Sequence, residues 1–387
     1  ISSNGHVDFN APNPGLIHFM TDDKFVIIYN NGSGMPSARI GTIEDASTVT
    51  YSDELVINSQ GGYGISTSSG VLQLSDTKLV FTHLAYIGEV YSYMLDVDLN
   101  NNTLVSGGRS RFQQYISGNI DYSNFFKLSE TRLIFAFFGN NSQGTPPIST
   151  AGIHFLIGDI SGNTVTWTDS GAVIASPNAN AQLGFGIGVI NESKIIIAYG
   201  AGDGTDGKVA IGGINENIMT LTTSTFPAYA AQYRILPISE TQAVIYYQRA
   251  GASYTRIASI SGDNVTFNGA EEDAHITDSY RPYIMYLTSD NNIIMIGNHH
   301  SGNYNTRVVV GTISGDNITN SVKWEGEIGY PNGMYSTFYN DTIYGYYVWP
   351  SGGANFFVGF DYESSNYTTT LTTTDALPAN PITIELI

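Results

Sequence analysis

Hydrophobic residues in this chain fall in short runs at 25–29, 79–82, 133–138, 195–199, 243–247, 293–296 and 344–348, separated by polar and glycine-rich stretches. The runs are rich in Val, Ile, Phe and Tyr and bounded by Gly, Asn, Asp and Ser, which predicts strands. No long helical stretch of Ala, Glu, Lys and Leu appears. The same polar signal precedes each run. Its clearest copies are Met20-Thr21-Asp22-Asp23-Lys24, Leu74-Ser75-Asp76-Thr77-Lys78, Leu128-Ser129-Glu130-Thr131-Arg132 and Ile190-Asn191-Glu192-Ser193-Lys194. Looser copies follow at 238–242, 288–292 and 339–343. A period of about fifty residues marks one supersecondary unit copied around an axis or along a stack.

Each copy divides into four strands. The first ends at the polar turn, as at 15–20 and 71–74, and the hydrophobic run is the second. A third follows at 38–43, 152–160, 209–214, 254–260, 307–313 and 355–360. The turns Ser161-Gly162-Asn163, Ser261-Gly262-Asp263-Asn264 and Ser314-Gly315-Asp316-Asn317 then supply the Gly and Asn that hairpins need for positive φ. Outer strands come last, at 165–167, 265–267 and after 318. The second copy departs from this form, with Asp96-Val97-Asp98-Leu99-Asn100 in place of the glycine turn. Four antiparallel strands per unit without helical crossovers predict an all-β fold, a seven-bladed β-propeller. A solenoid has the right kind of period, but short-period β-solenoids have much smaller coils than this unit. The expected blades lie near 15–60, 71–112, 122–175, 183–226, 233–270, 281–328 and 334–372, in one domain covering 1–387. Segments 1–10 and 380–387 are spare strands that could close the ring or link it onward, hiding edges that would otherwise pair with other chains.

Composition narrows the partners. Only 13% of the 387 residues are charged, glycine (42) and tyrosine (26) are abundant, and the formal net charge is −19. Such a surface repels phosphate backbones, so no nucleic acid is expected, whereas cations, Ca²⁺ included, are weakly attracted. Cysteine is absent, which excludes disulfides, thiolate zinc sites and cysteine nucleophiles. No apolar run reaches the length of a helical membrane span, so no membrane insertion is expected. The sequence opens on Ile1 rather than Met, which suggests a processed chain or a piece of a longer one.

The repeat also divides the faces. Turns between strands one and two, and between three and four, are short and alike. Loops between strands two and three, and from one unit to the next, vary, and in a propeller these emerge on the opposite face, where binding resides. Candidate ligand-binding residues there are Tyr86, Tyr91, Arg249, Tyr254, His299, His300, Tyr304 and Trp349. Tyrosine offers an apolar face to sugar C–H groups and a hydroxyl for hydrogen bonding. Tyr63, Tyr115, Tyr122, Tyr229, Tyr233, Tyr280 and Tyr330 lie between units, where wedging neighbouring sheets apart accounts for them.

Catalytic patterns are sparse. Asp203 and Asp206, in a glycine-rich run, are the candidate Ca²⁺ ligands and the sole cofactor expectation. The EF-hand spacing with its closing Glu is missing, so a solvated turn explains the run as well. Asp96, Asp98 and Asn100 alternate along an apparent strand. His299 and His300 are adjacent and lack helical zinc-site spacing. Glu271-Glu272-Asp273 reads as a solvated acidic loop. Ser161-Gly162-Asn163-Thr164-Val165-Thr166-Trp167 lacks the Asp and Gly of the sialidase-type turn, and no nucleophile elbow or phosphate loop is present. Eight Asn-x-Ser/Thr sequons, including those at Asn31, Asn101, Asn191, Asn264 and Asn317, fall largely on turns that want those residues anyway.

The pattern Leu-Ser-Asp/Glu-Thr-Lys/Arg, a hydrophobic run, and then Ile-Gly-x-Ile-Ser-Gly-Asp-Asn-x-Thr resembles repeats in bacteriophage tail-fibre or spike proteins and exported bacterial surface proteins. The likeness spans nearly the whole chain but rests on turn and core positions, so it carries over no functional residue. It implies a non-catalytic recognition module on a virion tail or cell surface, with a glycan or surface protein as partner. A building block of a tail, filament or surface layer, as a homo-oligomer or larger assembly, is the alternative. A polysaccharide-active enzyme with carboxylates around the central channel is the third reading.

Overall fold

The computed structural model describes residues 16–31, 33–44, 49–58, 70–84, 90–112, 123–141, 148–175, 185–200, 207–227, 230, 232–249, 251–276, 284–288, 290–300, 304–327, 333–339, 342–348, 356–361, 368–371 and 382–385. Among these every regular element is a strand. Each hydrophobic run is the second strand of an antiparallel sheet, and the first six of these strands open on the last residue of the polar signal, the seventh one residue earlier. They are Lys24–Asn30, Lys78–Leu84, Arg132–Asn141, Lys194–Gly200, Gln242–Arg249, Asn292–His300 and Thr342–Val348. Six sheets contain four consecutive strands in chain order; the seventh copy of the signal falls on a three-stranded sheet. The C-terminal strand Ile382–Glu385 pairs with Thr368–Leu371, and 1–10 lies outside the described residues. The first strand of sheet one, Leu16–Phe19, packs beside the first strands of sheet two, Gly70–Ser75, and of the three-stranded sheet, Gly333–Tyr339. The two ends of the series therefore meet, as in a propeller.

The second strands are buried on both faces, and parity decides which neighbour each side chain meets. In sheet four, Ile195, Ile197 and Tyr199 join the core shared with sheet three, while Ile196 and Ala198 join the core shared with sheet five. In sheet five, Ala243, Ile245 and Tyr247 face back to sheet four and Val244 and Tyr246 forward to sheet six. Val26 and Ile28 likewise meet sheet two. Continuous hydrophobic runs, rather than alternating ones, follow from this double burial. Fully burying one such side chain contributes roughly 1.5–3 kcal/mol.

The signal's last residue has a second task. Lys78 Nζ reaches into the next sheet, to Gly162 O at 3.4 Å and Asn163 Oδ1 at 2.7 Å. Lys194 Nζ does the same to Gly262 O at 3.1 Å and Asp263 Oδ1 at 4.0 Å. Gln242 Nε2 donates to Gly315 O at 3.4 Å and Asp316 Oδ1 at 3.1 Å. Arg132 Nη2 donates to Glu216 O and to Asn217 Oδ1 at 3.3 Å. In all four cases the acceptors are the carbonyl of a left-handed residue (φ 59°, 52°, 59° and 60° at Gly162, Glu216, Gly262 and Gly315) and the side-chain oxygen that follows it. The hairpin glycines that the sequence predicts are thus half of an inter-sheet clasp. Sheet two replaces the form with a longer turn, in which Asn102 adopts φ 51° and Lys24 Nζ finds Leu99 O and, at 2.8 Å, Asn102 Oδ1. Asp98 ends its strand and accepts from the amides of Asn100 and Asn101 at 3.0 and 3.1 Å, so Asp96, Asp98 and Asn100 do not form one strand face. Asp96 instead pairs with Lys78 at 3.3 Å.

Opposite the first core residue of strand two, the third strand is small where space is taken. Phe25 pairs with Gly41, and a Cβ on Gly41 would lie 2.3 Å from the Phe25 ring. Gly41→Ala should therefore destabilise by about 1–3 kcal/mol, the usual cost of overpacking, with Phe25→Leu in the same background recovering part of it. Urea denaturation midpoints of the two singles and the double variant measure this; additive losses would contradict it.

Candidate functional site

Two of the complete sheets break their outer strand. In sheet one the fourth strand is only Val49–Tyr51, and Leu55–Val56 then returns to pair with the third strand. In sheet five Asn264–Thr266 is followed by Glu272–Asp273, again pairing with the third strand. Each break brings a glutamate back over the end of strand two, at the face away from the clasped turns. Tyr29 Oη donates to Glu54 Oε2 at 2.9 Å, and Tyr247 Oη donates to Glu271 Oε2 at 2.5 Å. The other carboxylate oxygen accepts from the residue two positions past the tyrosine: Asn31 Nδ2 to Glu54 Oε1 at 3.0 Å, and Arg249 Nη2 to Glu271 Oε1 at 2.7 Å.

Register extends the match. Gly41 in sheet one and Ala258 in sheet five both face the first core residue of strand two, which aligns Arg39 with Arg256, Ser37 with Tyr254 and Tyr51 with Phe267. Arg39 lies 3.6 Å from Glu54, and Ser37 Oγ donates to Glu54 Oε1 at 3.0 Å. Arg256 lies over the Phe267 ring at 5.6 Å and donates to Gly269 O at 3.0 Å. In sheet five Tyr254 is stacked on Tyr247 with centroids 5.7 Å apart, and the Arg249 guanidinium sits 4.9 Å above the Tyr254 ring.

These charges are half in solvent: side-chain exposure is 35% for Arg39, 27% for Glu54, 39% for Arg249 and 33% for Glu271. The Asn31 amide holds the Glu54 carboxyl below its ordinary range against the opposing effect of burial, helped by Tyr29, Ser37 and Arg39. At Glu271 burial pushes upward, but hydrogen bonds from Tyr247 and Arg249 outweigh it and the carboxyl is again lowered. Burial and the hydrogen bond to Glu54 push Tyr29 up to about 12, and burial with Glu271 likewise raises Tyr247. Each cluster is thus an ionised carboxylate, a guanidinium and an aromatic face at neutral pH. Such a set can grip hydroxyl groups and ring C–H surfaces.

Of the residues proposed from sequence, the structure brings together Arg249 and Tyr254. Tyr91 lies inside the third strand of sheet two, 3% exposed under Arg109, rather than on a loop. His299 and His300 end the second strand of sheet six and Tyr304 opens its third, placing them at the same end as the clusters; their side chains lie outside the described residues. Tyr86, Trp349, Asp203 and Asp206 also lie outside them. Among the described residues no group of three His, Asp or Glu side chains could hold a metal. Tyr233 is fully buried and its hydroxyl accepts from the Ala230 amide at 3.1 Å, a packing role; the other between-unit tyrosines lie outside the described residues. The sequons at Asn31, Asn101 and Asn191 sit in turns where their side chains bond within the turn. Glu271, read from sequence as part of a solvated loop, is instead the centre of a cluster, and the whole of the sheet-one cluster went unread. The shared signal was a Tyr five residues past the clasp residue with an Arg ten or nine residues beyond it, and a Glu after the outer strand.

The fold and these clusters define a β-propeller-type scaffold with polar, aromatic-lined sites at one end of its blades. The sequence matches no family model and no curated protein. Solved structures share the fold at low identity. An uncharacterized protein from Listeria monocytogenes is 11% identical over 89% of this chain and 91% of its own, with a TM-score of 0.53. A Bacteroides fragilis protein provisionally assigned as a 6-phosphogluconolactonase is 10% identical over 89% and 97%, with a TM-score of 0.52. A puromycin-hydrolyzing peptidase from Mycobacterium tuberculosis is 9% identical over 94% of this chain and 55% of its own, with a TM-score of 0.51.

The ionisations set a stability profile. Glu54 and Glu271 have folded pKa values below the unfolded value, so their contribution is full above about pH 4.3 and is lost as pH falls through the lowered values. Tyr29 has a raised folded pKa, so its contribution is full below about pH 10 and disappears as pH rises towards the folded value. Melting temperature should hold level between these limits and fall on both sides. Glu54→Gln and Glu271→Gln together should make the acid limb shallower, and Tyr29→Phe with Tyr247→Phe the alkaline one; limbs unchanged in the variants would refute the assignment.

Proposed function

We propose that this chain is a non-catalytic recognition propeller that binds a glycan through the cluster of Arg249, Tyr254 and Glu271. The observation that carries this is the half-exposed Arg249–Glu271 pair laid against a tyrosine ring at the loop end of sheet five. An exposed ion pair contributes only about 0–1 kcal/mol to stability, so its ordered geometry is better accounted for by a ligand than by the fold. Guanidinium and carboxylate together donate to and accept from neighbouring hydroxyls, and the ring covers C–H surface beside them. The reading places the protein on a phage tail or a bacterial surface, where its strong negative charge and the scaffold resemblance are at home. Among the described residues neither cluster pairs two carboxylates across a common space, the usual arrangement for glycoside hydrolysis.

The test is a glycan array probed with the protein and with Arg249→Ala and Tyr254→Ala. Binding to at least one glycan is expected, reduced about tenfold or more in each variant, a loss of about 1.4 kcal/mol, with the melting temperature little changed. An array blank for the wild type, or full binding by both variants, would overturn the proposal.

A further inference from the structure

We infer that sheet one carries a second, matched binding site around Glu54, and that both sites take neutral polyhydroxyl ligands. This rests on the glycan reading of the sheet-five cluster. The match is one of construction. Both sites arise from an interrupted outer strand whose return segment pairs with strand three. In both, a strand-two tyrosine donates to Oε2 of the glutamate, and the side chain two residues later donates to Oε1. In both, an arginine stands at the same register of strand three beside an aromatic ring, Arg39 near Tyr51 and Arg256 5.6 Å over Phe267.

Among the described residues the other complete sheets lack the set. At the register of Arg39 they have Tyr93, Leu156, Ala210 and Val309, all buried, and their outer strands run unbroken for 9–12 residues. The two sites are therefore not a general property of the repeat.

The ligand class follows from charge. Each cluster sets a carboxylate against a guanidinium, Arg39 within 3.6 Å in sheet one and Arg249 within 2.7 Å in sheet five, where Arg256 is turned away to donate to Gly269 O. The carboxylates are ionised at neutral pH, so they accept from hydroxyl donors and repel acids. The chain's formal charge of −19 adds a field that keeps anionic polymers away. Vicinal hydroxyls, which donate to the carboxylate and accept from the guanidinium at once, meet these groups without a charge of their own. Two such sites on one rigid scaffold make the protein bivalent, so that a surface bearing repeated ligands is held with avidity that neither site has alone.

The experiment follows the arginine Nε–Hε signals in the intact protein by NMR, assigned by the loss of one signal each in Arg39→Lys and Arg249→Lys. The probes are methyl glycosides of neutral hexoses and deoxyhexoses, with methyl sialoside as the acidic counterpart. The expected result is that the Arg39 and Arg249 signals both move with the same neutral glycoside and with dissociation constants within about tenfold, while sialoside moves neither. Movement of Arg249 alone would overturn the second site and leave the glycan reading standing. Movement of Arg39 alone would overturn the pairing. Movement with sialoside would overturn the ligand class. Silence of both signals towards every probe would overturn the proposal and the glycan reading of the sheet-five site together.

Discussion

One contact recurs through this molecule: at five of the second strands a long polar side chain at the strand's start grips the outer turn of the next sheet. Lys24, Lys78, Arg132, Lys194 and Gln242 each do so. A left-handed residue turns its carbonyl outward, and the side-chain oxygen after it completes a two-oxygen acceptor that an ammonium, guanidinium or amide can satisfy. Each clasp is partly in water and contributes about 1 kcal/mol or less. Its effect is on registry. It fixes the height and rotation of each sheet against the next, so that alternate side chains of the second strand meet the correct neighbouring core. The greasy face contact between sheets is far stronger but non-directional; the clasp gives it one solution.

The clasp also separates the two ends of the blades. The end that holds the turns is tied by repeated hydrogen bonds and leaves little freedom for variation. The opposite end is not so tied, and there the outer strands of sheets one and five break to deliver Glu54 and Glu271. A propeller thus carries its scaffold chemistry and its recognition chemistry on opposite ends of the same strands. In sheet five the distance between the two along strand two is the seven residues from Gln242 to Arg249.

Much of this was legible in the sequence. The hydrophobic runs predicted every second strand because double burial leaves no polar gap to confuse the pattern. Gly162, Gly262 and Gly315 announced the outer hairpins, but not that Glu216 adopts the same left-handed conformation without glycine's freedom. The polar signal was readable as a turn, while the reach of its last residue into another sheet was not, because spacing along one chain says nothing of what lies 84 residues on. Arg249 and Tyr254 were recognised by type, although Arg249 ends the second strand and Tyr254 lies inside the third, Ala252–Ser261, rather than on a loop. Glu54 and Glu271 were missed because each becomes a partner only when the outer strand breaks and folds back. Tyr91 was placed on a loop because the boundary of its strand, Val90–Asp98, begins earlier than the hydrophobic pattern suggests.

The most direct test of the clasp is hydrogen exchange by mass spectrometry on Arg132→Met. The account predicts faster exchange in the Asn215–Ile218 hairpin of the next sheet, while the mutated residue's own strand, Arg132–Asn141, keeps its protection. Exchange that rises in the mutated sheet alone, or nowhere, would contradict the claim that the repeat's polar residue is what registers one sheet against the next.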